Sequence, residues 1–135
     1  MFERFSNSFL NDFNLDMLLG KFRSIRFRFF RKGEFIYREN EEAAAVYLVL
    51  SGEISIGSFS DDSDVMAISY SRSGDVIGFD DALSGSRYSK SAFAASDVNA
   101  VEISRSEFLD LTRRNDEFNL WMLKYLSTKI NMLAS

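Results

Sequence analysis

Cysteine, histidine and proline are absent from this chain. Without cysteine there is no disulfide, no thiolate nucleophile and no Cys-ligated zinc or iron–sulfur cluster. Without histidine there is no Ser-His-Asp triad, no imidazole base and no use of the commonest zinc ligand. Catalysis would have to rest on carboxylates, lysines or tyrosines, and no constellation of them stands out, so the expectation is a protein that is not an enzyme. No apolar run approaches the roughly 18 residues of a membrane-spanning helix. The opening MFERFSNSFLNDF sets Glu3, Arg4 and Asp12 among its phenylalanines, so it lacks a signal-peptide core. A net charge of −4 gives no overall cationic surface for nucleic acid. These absences point to a cytoplasmic protein away from the membrane.

What the chain does have is 46% apolar residues, 14 of its 135 residues being phenylalanine. That suffices for one hydrophobic core, and the pattern reads as a single domain, 1–135, in three parts. Residues 1–22 carry Phe5, Phe9, Phe13, Met17 and Leu18 at helical spacing, with Gly20 as a stop. Residues 23–103 read as short strands. In Arg26-Phe27-Arg28-Phe29 the alternation predicts a strand with Phe27 and Phe29 inward. The basic cluster Lys21, Arg23, Arg26, Arg28, Arg31 and Lys32 then lies on its solvent face. Val46–Leu50, Ile54 with Ile56, Val65–Tyr70 and Val98–Ile103 continue the series, broken by turns at Gly33, Gly52 and Gly74. The polar run Ser60–Asp64 is a hairpin loop. Its aspartates Asp61, Asp62 and Asp64 do not make a calcium loop, because Met66 and Arg72 stand where that loop needs Gly and Glu. Many short strands joined by glycine turns indicate a mainly β sandwich or jelly roll.

Residues 104–135 are helical. Ser104 and Glu107 form a capping box before Phe108 and Leu111, and Asn115-Asp116 breaks that helix. A second helix carries Phe118, Trp121, Met122, Tyr125, Leu126, Ile130 and Leu133, more apolar surface than one intramolecular stripe needs. The surplus suits packing on a partner, with Trp121 and Tyr125 toward that partner and Phe118 and Leu126 toward the roll.

Three segments in this order sharpen the reading: Lys32-Gly33-Glu34-Phe35-Ile36, then Val46 through Ile56 with Ser51-Gly52-Glu53 inside it, then Gly74-Asp75-Val76-Ile77-Gly78. They resemble the cyclic nucleotide-binding domain, and more narrowly the sensor half of the Crp/Fnr regulators. The resemblance implies a double-stranded β-helix with an N-terminal helix and a C-terminal helix pair. It also implies a cyclic nucleotide as ligand, a homodimer through the last helix, and regulation by coupling the ligand to that helix, with Trp121, Tyr125 and Leu126 as the readout residues.

In the family the stretch after Gly78 is a phosphate-binding cassette. A Glu after the glycine meets the ribose, and an Arg followed by Ser or Thr meets the phosphate. Here Phe79 follows Gly78, with Asp80 and Asp81 one and two residues late, and the Arg-Ser position reads Lys90-Ser91-Ala92. Lys keeps the charge without the bidentate fork. The ligand residues implied are therefore Gly78, Phe79, Asp80, Asp81, Ala82, Leu83, Lys90, Ser91 and Ala92. Two altered charged contacts, each worth about 1–3 kcal/mol, move micromolar binding toward millimolar. The cassette looks more like the Fnr-type branch, whose Cys-ligated iron–sulfur sensor is excluded here. The family's helix-turn-helix does not appear before Ser135, so direct DNA reading is not expected. Two alternatives stay open: a ligand-free dimeric module that binds another protein, and the front half of a Crp/Fnr transcription regulator.

Overall fold

The computed structural model describes residues 25–59 and 65–134. The helix predicted over 1–22, Lys21 and Arg23, and the Asp61–Asp64 loop lie outside the described residues.

Among the described residues eight strands make two four-stranded sheets, antiparallel at every pairing. The strands are β1 (Ile25–Phe30), β2 (Phe35–Tyr37), β3 (Ala45–Ser51), β4 (Glu53–Phe59), β5 (Val65–Arg72), β6 (Val76–Ile77), β7 (Ser91–Ala94) and β8 (Val98–Ser104). One sheet runs β1-β8-β3-β6 and the other β2-β7-β4-β5. Between β6 and β7 lies a short helix, α1 (Phe79–Ser84); α2 (Arg105–Arg114) and α3 (Asp116–Ala134) close the chain. This is the mainly antiparallel roll with flanking helices that the strand pattern predicts.

Strand β3 explains the layering. Tyr47 and Val49 pack into the roll interior with Phe30, Ile54, Val98 and Ala100. Val46 and Leu48 point the other way and pack with Val101, Phe108, Phe118, Trp121 and Tyr125. A strand covered on both faces needs an unbroken apolar run, and Ala45–Leu50 supplies it. The return from β3 to β4 turns on Gly52, at φ 96°. A Cβ there would lie 2.2 Å from the Asp97 carbonyl oxygen, so only glycine fits.

Strand β1 presents the opposite face from the one expected. Phe27 and Phe29 are 63% and 54% exposed. Arg26 and Arg28 turn to buried Glu102. Arg26 Nε and Nη2 donate to its Oε1 at 3.1 and 2.6 Å, Arg28 Nη1 donates to Oε2 at 2.5 Å, and the Tyr47 hydroxyl donates to Oε2 at 2.8 Å. The register sets Arg26 opposite Glu102. Leaving that carboxylate buried without cations is worse than leaving two rings at an edge strand's surface.

The helix caps follow the sequence. Ser104 Oγ accepts from the Glu107 N–H at 3.3 Å, and Asn115 Oδ1 accepts from the Phe118 N–H at 2.9 Å as α3 begins. On α3 Phe118 is buried as expected, but Trp121 and Tyr125, expected toward a partner, are buried too. Trp121 and Tyr125 are buried in this chain's own core with Phe118 and Met122, and Leu126 is half-buried. Among the residues of α3 whose side chains are described, the exposed large apolar ones are Leu120, Leu123 and Ile130. The large rings bury more area against the roll than leucine does, so they take the inner face.

Candidate functional site

Strand β6 delivers the chain to Gly78, which opens α1 at φ 81°. A Cβ there would stand 3.2 Å from the Tyr88 ring and 3.3 Å from the Ala45 carbonyl oxygen. Tyr88 is itself fixed: its ring stacks on Tyr37 at 3.8 Å between centroids, and its hydroxyl donates to Ala45 O at 2.6 Å. Burial pushes the Tyr88 hydroxyl up to about 12, against the lowering effect of its backbone contact at Ala45, so it stays protonated. The far end of α1 is held from α2, where Arg105 Nε donates to the Ala82 carbonyl at 2.8 Å. Asp81 Oδ2 accepts from the Ser89 N–H at 3.0 Å and from its hydroxyl at 3.2 Å, which closes the loop back toward β7.

Beside α1 lies a cleft of about 360 Å³. Gly78, Phe79, Asp80, Asp81, Ser89 and Lys90 form its rim, Ser69, Tyr70 and Ser71 of β5 a second wall, and Tyr37 and Ile56 line it from the roll. Tyr125 and Lys129 of α3 complete it. Tyr125 joins helix to roll: its hydroxyl accepts from the Val76 N–H at 3.1 Å and faces Asp75 Oδ1 at 3.3 Å. Burial, and then the Asp75 charge, push its pKa above the tyrosine norm. Lys129 Nζ donates to Asp75 Oδ1 at 2.7 Å and lies 5.5 Å from the centre of the Tyr125 ring. Phe79 meets that same ring edge-on at 6.3 Å.

Five of the ligand residues implied by sequence therefore share one cleft: Gly78, Phe79, Asp80, Asp81 and Lys90. Four do not. Ala82 and Ala92 are fully buried, Leu83 is exposed away from the cleft, and Ser91 is buried with its hydroxyl accepting the Glu39 N–H at 2.9 Å. Sequence reasoning missed Tyr37, Tyr70, Asp75 and Lys129. Only the one-turn spacing of Tyr125 and Lys129 hinted that the two share a helix face. Tyr37 also borders a second cleft of about 680 Å³ with Arg26 and Glu102, but there the main charges already satisfy each other.

A two-sheet roll whose rim is a glycine-opened helical turn, with two helices following the last strand, defines a β-roll domain. Residues 27–115 match the cyclic nucleotide-binding domain, so the chain belongs to the cyclic nucleotide-binding domain family. Its fold is the one found in Crp/Fnr regulators. The catabolite activator protein of Thermus thermophilus superposes with a TM-score of 0.72 at 21% identity, over 89% of this chain and 55% of that one. The sensor domain of the transcriptional regulator DNR from Pseudomonas aeruginosa gives 0.72 at 18% identity, over 93% and 84%. The c-di-GMP responsive global regulator CLP of Xanthomonas campestris gives 0.74 at 18%, over 87% and 56%. The chain thus spans little more than half of the two full-length regulators. Comparison with curated proteins gave no match. Among the described residues no helix is long and apolar enough to cross a membrane.

Proposed function

We propose that the chain is a regulatory sensor module in which a cyclic nucleotide enters the cleft at the rim and the terminal helix reports its presence. One observation carries the reading: the cassette residues Gly78–Asp81 and Lys90 line the same cleft as Tyr125 and Lys129 of α3. A ligand there touches both the sensing and the reporting element, which is what coupling between two states requires. In this reading Lys90 meets the cyclic phosphate, Asp80 a ribose hydroxyl, and Phe79 or Tyr70 the base. Asp80 and Asp81 occupy the first turn of α1 and oppose an anion at that helix end, which shifts the phosphate toward the lysines. The report passes to a second copy through the outward stripe Leu120, Leu123 and Ile130, spaced like a helix-pairing seam.

Calorimetry against cyclic AMP, cyclic GMP and cyclic di-GMP tests the reading. Saturable binding to one of them, weakened about tenfold or more by Lys90→Ala, is the expected result. Silence toward all three overturns it. A second reading, a ligand-free interaction module, draws support from the Ser91 hydroxyl and the Asp81 carboxylate, both committed to internal hydrogen bonds. That reading expects silence from a protein that still dimerises.

A further inference from the structure

Lys129 stands between two demands. Its ammonium is held by Asp75, at 2.7 Å, with the two side chains 40% and 20% exposed. The same side chain borders the cleft, whose only cations among the described residues are Lys90 and Lys129. We infer that Lys129 is an exchangeable latch: an anionic group of a ligand in the cleft draws the Lys129 ammonium away from Asp75, and so loosens the terminal helix from the roll. This inference rests on the nucleotide reading above and adds to it the residue by which binding is felt at the helix.

The geometry determines which partner moves. Asp75 is fixed at both ends. Its Oδ2 accepts the Arg72 N–H at 3.0 Å, its own N–H donates to the Arg72 carbonyl at 3.0 Å, and its carbonyl accepts the Val49 N–H at 2.9 Å. Lys129 sits on a flexible four-carbon stem, so of the two partners it is the one that can move to a ligand anion. A cyclic phosphodiester carries one negative charge over two non-bridging oxygens, and in the cleft those oxygens would have few other donors. Asp75 offers one carboxylate already shared with the Arg72 N–H and the Tyr125 hydroxyl. The ammonium has a single charge, and a ligand anion that draws it into the cleft lengthens and weakens its contact with Asp75. Removing Lys129 leaves Tyr125 as the main polar tie between helix and cleft rim.

The competition makes two substitutions act with opposite sign. Asp75→Asn keeps an oxygen for the Arg72 N–H but releases Lys129 to the ligand. Lys129→Gln removes the cation and leaves the Asp75 turn intact. Calorimetry with whichever of cyclic AMP, cyclic GMP and cyclic di-GMP binds the unsubstituted chain is expected to show about three- to tenfold tighter binding in Asp75→Asn, and a comparable weakening in Lys129→Gln. In the double variant the gain from Asp75→Asn disappears, because no lysine remains to be released. Equal affinity in Asp75→Asn and the unsubstituted chain overturns the latch while leaving the nucleotide reading intact. So does a gain that persists in the Lys129→Gln background, which would be a mere change of local field. Thermal melts check that the variants are folded. Should Asp75→Asn not fold, Lys129→Gln alone decides, and affinity unchanged from the unsubstituted chain overturns the latch. Silence of the unsubstituted chain toward all three nucleotides overturns both proposals together.

Discussion

Glu102 shows how much a single buried group can dictate. Burial by itself would raise its pKa. Hydrogen bonds from Tyr47 and Arg26 and the charges of Arg28 and Arg26 outweigh that and leave it below the usual carboxylate range. A carboxylate held low in the folded state contributes stability that is present above the ordinary carboxylate pKa and is lost as pH falls through the lowered value. Glu102→Gln is therefore expected to destabilise by about 1–3 kcal/mol near neutral pH. The gap to the unsubstituted chain should begin to narrow as pH drops below about 4 and close only below the lowered value, as followed by urea denaturation across the acid range. A gap independent of pH would mean that the charge is not what counts. The same residue marks a limit of sequence reading. Alternation in Arg26–Phe29 correctly puts arginines and phenylalanines on opposite faces. Which face is inner depends on Glu102, 76 residues away from Arg26, and nothing local announces it.

Among elements, α1 depends most on its neighbours. It has six residues, too few for a helix to persist alone in water. Gly78 turns the chain into it, and Arg105 holds its last carbonyls through Ala82. Arg105→Ala is expected to cost about 1 kcal/mol of global stability, with amide exchange over 79–85 faster by about an order of magnitude. Unchanged exchange there would show that the grip is incidental. Most elements were legible: β3, β4, β5 and β8 from their apolar runs, the turns from their glycines, and α2 from its capping box. Strand β7 was not. Ser91–Ala94 is made of small residues and one ring, and only its pairing with β2 and β4 makes it a strand. For α3 the apolar surplus was visible. Its allocation was not, because helical periodicity gives the angle between residues and leaves the rotation of the helix on the roll open. Packing settles that rotation by burying Trp121 and Tyr125.

Taken whole, the described residues form two apolar clusters joined through one sheet, since β3, β6 and β8 each feed the roll interior from one face and the helix layer from the other. Shared walls make for joint melting. Fluorescence of Trp121, the sole tryptophan, and far-ultraviolet circular dichroism are expected to report coincident thermal transitions. Separate midpoints would show that the helices detach before the roll opens. The cleft itself was only half legible, because concavity is a property of topology. Gly78, Asp80 and Lys90 were found through motif spacing, whereas Tyr37, Tyr70 and Lys129 arrive from three other elements that share no local pattern. One further consequence lies in the short stretch from Asp75 to Gly78. Only Val76 and Ile77 intervene, a path of about 10 Å, and both are pinned across to β3 at Leu48 and Tyr47. Such a strut has no slack to take up strain, so a tug on the tail at one end arrives at the other as displacement, with no longer relay of side chains in between.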